Sequence, residues 1–497
     1  MNIIRLYRTI KYLTTTQIFF QIKNRVIRRR YCSQTAPLHR KCELLQYPIP
    51  RYATLFNENF TFLNIQQNFD GWNDVSQGNL YAYNINYFDY INSTVLSKED
   101  ACKWIDKYIL EIGTVTLGMD PYPIALRAIN WIKFFSKYPD CITEDRDRAL
   151  WSQLCLLEKK LEFHLLGNHL LEDAFSLFIS SIYFNDETMY HRYSKLLKSE
   201  LQEQILGDGA HYEQSPMYHC ILLDRLLDCY NFSLSNPSFD NQDSMNDCLR
   251  HYASLMLGHL EAIIYSTGDI PLLNDSAYGV APTSSELFNY AKRLDIKWTH
   301  QPLKDCGYRY WTRGRREVII DVGNITASYQ PGHSHADTLT YELRIDGVPF
   351  VVDTGISTYN KNERRQYERS TIAHNCVSPD CEDSSEVWGG FRVGRRCHVE
   401  VLDEKELGII ALHDGFDKPC KRRVELSDNG FIVEDWYNGN AVSYIHLAED
   451  ANPARIEIEG ANDIIIRECQ YSTEYNKFHK GKVVEIHFNG YLKYTIR

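Results

Sequence analysis

The hydrophobic period changes once along this chain, and that change decides what it can fold into. From about residue 95 to 300, apolar residues recur at helical spacing. Leu166, Leu170, Ala174 and Phe178 form one stripe, and Leu222, Leu223, Leu226 and Leu227 form another. Breakers such as Gly207-Asp208-Gly209 and Gly268-Asp269 separate the segments. After about residue 307 the period drops to two. Leu339, Tyr341, Leu343 and Ile345 alternate with Thr340, Glu342 and Arg344, which reads as a half-buried strand. Asp346-Gly347 then marks a hairpin into the apolar run Val348 to Val352, and Asn429-Gly430 and Asn489-Gly490 read as turns of the same kind. Helices followed by strands give an α+β chain of two domains rather than one alternating sheet. The expected divisions are a basic, helical lead-in at 1–80, a helical domain at 81–306 and an antiparallel β domain at 307–497. No low-complexity linker separates the last two, so they are expected to pack closely and share a cleft.

Composition narrows the functional classes. With 54 Lys and Arg against 65 Asp and Glu, the 497-residue chain carries a net charge of −11, a poor balance for a general nucleic-acid binder. No 18-residue apolar run is present, which argues against a transmembrane helix. The 14 cysteines are scattered, with no CxxC pair, and read as reduced thiols. Near the N-terminus, Arg5, Arg8, Lys11, Lys23, Arg25 and Arg28-Arg29-Arg30 surround Ile18-Phe19-Phe20, an apolar run too short for a secretory signal. The expectation is a cytoplasmic protein. Its basic N-terminal helix either packs on the body or contacts an anionic membrane surface. The aromatic load of 34 Tyr, 22 Phe and 8 Trp suits either an aromatic core or the stacking of sugar rings.

Four polar clusters are candidates for chemistry. Gly167-Asn168-His169 lies in the helical half, with Glu172 one turn on; an Asn inside a leucine-rich helix costs helix propensity and needs hydrogen-bond partners. Asp208 to His219 places Tyr212, Glu213, Tyr218 and two histidines between a glycine turn and a helix, where catalytic groups often sit. His333-Ser334-His335 precedes the strand above; two apart on a strand, both rings would face one site. Asp353 ends the partner strand, so a hairpin brings it toward His335, and His374 completes a nitrogen and oxygen donor set of the type zinc accepts. Tyr359, Arg364, Arg365, Tyr367 and Arg369 lie between Asp353 and His374. No GxSxG, phosphate loop or GxGxxG occurs at a strand–helix junction, which argues against the enzymes that use them.

An amide, a phenol, an imidazole and arginines together fit proton abstraction beside a carboxylate, the problem a uronic-acid polymer poses. Asn, His or Arg donors hold the carboxylate and the enediolate, and Tyr and His serve as base and acid. The product is an unsaturated sugar formed without water. Hydrolysis would need two opposed carboxyls, for which Glu172, Glu213 and Asp337 are available by type.

The same clusters resemble the heparinase II/III-like polysaccharide lyases, in particular bacterial members associated with surface-polysaccharide gene clusters. The resemblance rests on ordered stretches from about residue 80 to 395. These include Tyr83 to Tyr90, Pro121 to Ile124, Gly167 to Glu172, Ser215 to His219, Ile270 to Asp275, Pro331 to Leu339, Val352 to Gly355, Arg369 to Asn375 and Ser385 to Val393. It implies an incomplete (α/α) toroid followed by an antiparallel β-sandwich, with the active site between them. It implies that Asn168 binds the uronate carboxylate and that Tyr218 and His333 share base and acid duties. His169, Glu172, Tyr212, Tyr359 and Arg369 are the expected substrate contacts. His335, Asp353 and His374 are the expected ligands of a structural zinc, and the partner is an acidic polysaccharide or oligosaccharide cut by β-elimination. Two other readings stay open: a non-catalytic glycan-binding or assembly factor in surface-polysaccharide synthesis, and a glycoside hydrolase on the same scaffold.

Overall fold

The computed structural model describes residues 3–56 and 58–497. The lead-in is only partly helical. It holds helices α1 (Ile3–Ile10) and α2 (Thr15–Val26), an extended stretch, and a three-stranded antiparallel sheet of β1 (Thr54–Phe56), β2 (Asn59–Phe62) and β3 (Ile65–Asn68). The helical body follows as α3 (Asn79–Tyr87), α4 (Lys98–Glu111), α5 (Pro121–Lys137), α6 (Glu144–Lys160), α7 (Gly167–Tyr183), α8 (Glu187–Gln204), α9 (Pro216–Ser235), α10 (Gln242–Ile263) and α11 (Ser284–Arg293).

Burial sorts these helices into two layers. Helices α5, α7 and α9 are buried on nearly every face, whereas α6, α8 and α10 bury one stripe and expose the other. The buried three pack side by side, and each outer helix packs on an inner one, α6 on α5, α8 on α7 and α10 on α9. This is the inner and outer arc of an open (α/α) ring. No helix among the described residues is long and apolar enough to cross a membrane.

The β domain begins with β4 (Tyr308–Arg313), β5 (Arg316–Asp321), β6 (Tyr341–Ile345) and β7 (Val348–Val351). Short helix α12 (Glu363–Glu368) follows, then the two-residue strands β8 (Val377–Ser378), β9 (Val387–Trp388) and β10 (Arg392–Val393). The rest is β11 (Val399–Lys405), β12 (Gly408–His413), β13 (Cys420–Ser427), β14 (Gly430–Leu447), β15 (Ile456–Glu474) and β16 (Lys477–Ile496). Eleven strands join in one antiparallel sheet ordered β11-β12-β13-β14-β7-β6-β5-β4, with β16 and β8 also on β14 and β15 on β16. Side chains from β4–β7 and β11–β16 bury a common core. Across that core the Tyr341 and Phe431 rings meet at 4.9 Å and the Tyr341 and Tyr494 hydroxyls at 3.1 Å.

The Asp346-Gly347 turn joins β6 and β7 with φ of 54° and 74°, the positive pair that a two-residue hairpin demands. Asn429-Gly430 turns β13 into β14. Asn489-Gly490 is different: it lies inside β16, where the register with β14 shifts between Tyr437 and Asn440. Gly490, at φ 81°, lets the long strand absorb that bulge without ending.

One buried ion pair fastens the sheet to the loops above it. Arg422 of β13 meets its cross-strand neighbour Asp435 through two bonds, of 2.7 and 3.0 Å. Its remaining nitrogen donates to the carbonyls of Leu339 and Asn375, at 2.8 and 2.6 Å. Substituting Arg422→Met strands a buried carboxylate and is expected to cost about 3–5 kcal/mol of unfolding free energy. Chemical denaturation checks this; an unchanged midpoint would remove the pair from any supporting role.

Candidate active site

Sequence breakers at helix starts build one wall of the cleft. Gly167, at φ 61°, opens α7, so Asn168 stands in the first turn rather than mid-helix, where its backbone N–H has no helical acceptor. Glu213 supplies it: one carboxylate oxygen accepts from Asn168 N at 2.9 Å, the other from Asn168 Nδ2 at 3.1 Å. A Cβ on Gly167 would lie 2.3 Å from Glu213 Oε1, so the close approach needs a glycine. Ser215 caps α9 by accepting from Tyr218 N at 3.2 Å, and Pro216 follows at the first helical position. Together these place Asn168 and Tyr218 at the mouths of adjacent inner helices.

The β domain supplies the opposite wall. His333 and His335 lie in an irregular loop before β6, not on a strand, so they do not share a face. Their meeting point is the carboxylate of Asp275. His333 Nδ1 lies 2.9 Å from Oδ2, and His335 Nε2 lies 2.8 Å from Oδ1. Arg365 donates to the same two oxygens at 2.5 and 2.7 Å. Burial opposes ionisation of Asp275, but the Arg365 guanidinium and the two imidazoles outweigh it and hold the carboxyl well below the usual range. With Nδ1 given to Asp275, His333 Nε2 is left facing Asn168 Nδ2 at 3.1 Å.

The two walls touch through rings. Tyr218 stacks on His333 with centroids 3.9 Å apart, and the Tyr359 hydroxyl reaches that of Tyr218 at 3.4 Å. Burial raises the Tyr218 and Tyr359 phenols above their usual pKa. Arg365 lies 4.8 Å above the Tyr359 ring, and Tyr475 abuts its edge. Asn168, His169, Tyr218, His333 and Tyr359 all line one cleft of about 1610 Å³.

His169 faces that cleft beside Tyr122, its ring 4.7 Å away. Burial would lower its pKa, but Glu162, 2.9 Å from Nδ1, reverses the shift and raises it. Three expected substrate contacts lie elsewhere. Glu172 is sealed in the helical core 3.5 Å from Arg225 Nε, and burial pushes its carboxyl up to about 7. Tyr212 is buried with its hydroxyl on that of Tyr329, at 3.1 Å. Arg369 is buried and spends Nε and Nη2 on the Ser334 carbonyl, at 3.2 and 2.7 Å, so it shapes the histidine loop from behind. Each is an apolar-surrounded polar group whose periodicity cannot tell cleft from core.

The sequence offers Arg365 only as one arginine of a candidate cluster, and Asp275 does not stand out as a site residue. The signal available was the acid of Asn274-Asp275 in an otherwise apolar segment that ends in a turn.

Beneath the cleft floor lies the expected zinc set. His374 Nδ1 bonds Asp353 Oδ2 at 2.7 Å, and the His335 and His374 rings are 5.3 Å apart. His335 Nδ1 and His374 Nε2 are buried without partners, as are both ring nitrogens of nearby His446. Buried orphan donors of this type fit a metal. Their atoms are not drawn into a closed set, however. Among the described residues, Asp208, His259 and Cys306 are the group whose ligand atoms all lie within 4.8 Å of one another. There the Asp208 Oδ2 oxygen already accepts from the backbone of Lys304 and Cys306, at 3.1 and 2.9 Å.

Comparisons with known proteins match both halves of the chain. The family model described as "Heparinase II/III N-terminus" matches residues 156–285, and that described as "Heparinase II/III-like, C-terminal" matches 296–470, together more than half of the chain. A heparin-sulfate lyase of Bacteroides thetaiotaomicron is 23% identical over 362 residues, covering 61% of this chain and 50% of that protein. One of Pedobacter heparinus is 25% identical over 242 residues, covering 43% and 36%. The chain thus spans half the length, or less, of these curated relatives. Among solved structures, heparinase III superposes with a TM-score of 0.60 at 16% identity, covering 80% of this chain and 74% of that one. The heparan sulfate lyase HepC from Pedobacter heparinus gives 0.54 at 15% identity, covering 97% and 87%.

Two outcomes test the site. Asp275→Asn leaves Arg365 buried without its anion and is expected to lower stability by about 3–5 kcal/mol and to abolish turnover; a stable, active variant would dismiss the clamp. For Glu172, the folded pKa of about 7 exceeds the usual 4.5, so the native state binds the extra proton and stability falls as pH rises between those values. Glu172→Gln should flatten that fall, worth up to about 3 kcal/mol, and leave KM unchanged. Unfolding from pH 4 to 8 checks the slope, and a raised KM would return Glu172 to the substrate.

Proposed function

The chain belongs to the heparinase II/III-like family, and from that premise we propose that it is a polysaccharide lyase that cuts a uronic-acid-containing glycan by β-elimination. The observation that carries the reading is the stacked Tyr218–His333 pair beside Asn168, three groups from two domains at one point of one cleft. The named activity of the curated relatives, heparin-sulfate lyase, supports an acidic glycosaminoglycan as substrate class.

Each group has a physical reason for its role. Asn168 offers amide hydrogens to the uronate carboxylate in exchange for its contacts with Glu213 and His333, drawing charge off the C5 carbanion as it forms. His333 is the base: its Nδ1 is held by the Asp275 anion, which fixes the tautomer and stabilises the imidazolium after Nε2 takes the C5 proton. Tyr218 is the acid. Burial keeps its phenol protonated, ready to give a proton to the departing 4-oxygen, and Tyr359 sits behind it as a second hydroxyl. The carboxylates nearest this point, Glu213 and Asp275, are both committed as acceptors, which disfavours hydrolysis by an opposed pair.

For the structural zinc, His335 and His374 would supply imidazole nitrogens and Asp353 a carboxylate, with His446 in reach of the same pocket. When bound, the ion would neutralise buried charge below the histidine loop; no step of the elimination runs through it.

The test is the ultraviolet absorbance of an unsaturated uronate when purified protein meets heparan sulfate, hyaluronan, chondroitin or alginate. Asn168→Ala, Tyr218→Phe and His333→Ala should each lower kcat by about 10²–10⁴ while the fold is retained. Products heavier by one water would instead mark a hydrolase. A wild-type protein that binds glycan without either product would mark a binding factor.

A further inference from the structure

The cleft has a third wall that lies outside both family-matched segments. Helix α2 starts with a capping box at Thr14 and Gln17 and runs across the junction of the two domains. Gln17 is its anchor, 2% exposed, with Nε2 donating to the carbonyl of Leu165 at 3.1 Å and to that of Tyr329 at 3.1 Å. Leu165 lies just before α7 and Asn168, and Tyr329 just before the loop of His333. Phe20 packs on Phe163, ring centroids 4.9 Å apart. Helix α1 is moored farther along by Arg5 to Glu386 at 2.9 Å and by Trp388 Nε1 to Thr9 at 3.1 Å. The arm is thereby fixed over the reacting groups.

Its charge is as particular as its position. The first 42 residues hold ten Lys or Arg, and all 65 acidic residues lie beyond them. Arg25, Arg28, Arg29 and Arg30 are exposed, line the same cleft as Asn168, Tyr218 and His333, and have no carboxylate partner among the described residues. Across the cleft, Lys361 and Arg392 are likewise without one. In a chain of net negative charge, cations left unpaired beside a cleft cost repulsion unless an anion visits them.

We propose that residues 14–30 form a polyanion subsite of the cleft, which binds charged groups of the glycan several sugars from the scission point. The inference rests on the lyase reading for what enters the cleft, and it narrows the substrate class. The glycan carries anionic substituents, sulfates or further carboxylates, beyond the one uronate that Asn168 receives.

The experiment separates the two claims by measuring binding apart from turnover. In a Tyr218→Phe background, Kd for fluorescent heparan sulfate and for its fully desulfated counterpart is measured at low and high salt. The variant Arg28→Gln, Arg29→Gln, Arg30→Gln should bind about tenfold more weakly with a shallower salt dependence, and a larger effect on the sulfated chain assigns sulfate as the group held. An equal effect on both chains assigns carboxylate. The matched control Arg192→Gln, Lys195→Gln, Lys198→Gln, on exposed α8, should bind as the parent does. Equal affinity in variant and parent overturns the subsite even if the wild type is a proficient lyase. Conversely, weakened binding in the variant upholds it even if no elimination is found. Loss of binding to phosphatidylserine vesicles with glycan affinity intact would overturn it in favour of a membrane-facing arm.

Discussion

The carboxylate of Asp275 holds the site together. Four donors from three residues converge on its two oxygens: His333, His335 and both terminal nitrogens of Arg365. Its own backbone carbonyl accepts from Ser215, which caps the helix bearing Tyr218. A buried anion is tolerable only when so surrounded. The consequence is that the orientation of His333, the position of Tyr218 and the seating of α12 against the helical domain are one arrangement. Neighbouring Asn274 repeats the pattern with neutral bonds, its side chain spanning Gln214 O and His335 N.

The ring of helices adds a field to this geometry. Helices α3, α5, α7 and α9 all begin at the cleft, and Asn79, Pro121, Asn168 and Tyr218 from their first turns line it. Each N-terminus carries partial positive charge, and at α7 and α9 the Glu213 carboxylate and the Ser215 hydroxyl already accept from Asn168 N and Tyr218 N. The cleft between the domains therefore presents several positive helix ends alongside the cationic side chains that line it. This explains how a net acidic protein presents a cleft suited to anions.

What could be read from the sequence follows from what periodicity encodes. The change of period places the helical and β parts because burial of one face repeats over many residues, and the first strand of the large sheet does start at Tyr308. Asn168, Tyr218 and His333 stand out because polar groups at breaker-rich helix and strand starts are exposed to a cleft, and the structure does bring them together. Glu172, Tyr212 and Arg369 share those residue types yet face inward, and nothing local in the sequence records which way a side chain turns when both sides are protein. Asp275 was hidden for the opposite reason. Its role is wholly long-range, with partners 58 to 90 residues away. The Asn489-Gly490 pair looks like a turn because the same positive-φ glycine serves both a hairpin and a bulge in an unbroken strand.

The division of the cleft residues between domains has a further consequence. Asn168 and Tyr218 belong to the helical ring, His333 and Tyr359 to the sheet, and the Tyr218–His333 stack is a joint between them. Any relative rotation of the two bodies opens that joint and parts Tyr218 from His333 in the same motion. On the lyase reading proposed above, chemical competence is a property of the interface rather than of either body. The chain can lose or regain it by a change in how the halves sit, with every individual side chain still in its native rotamer.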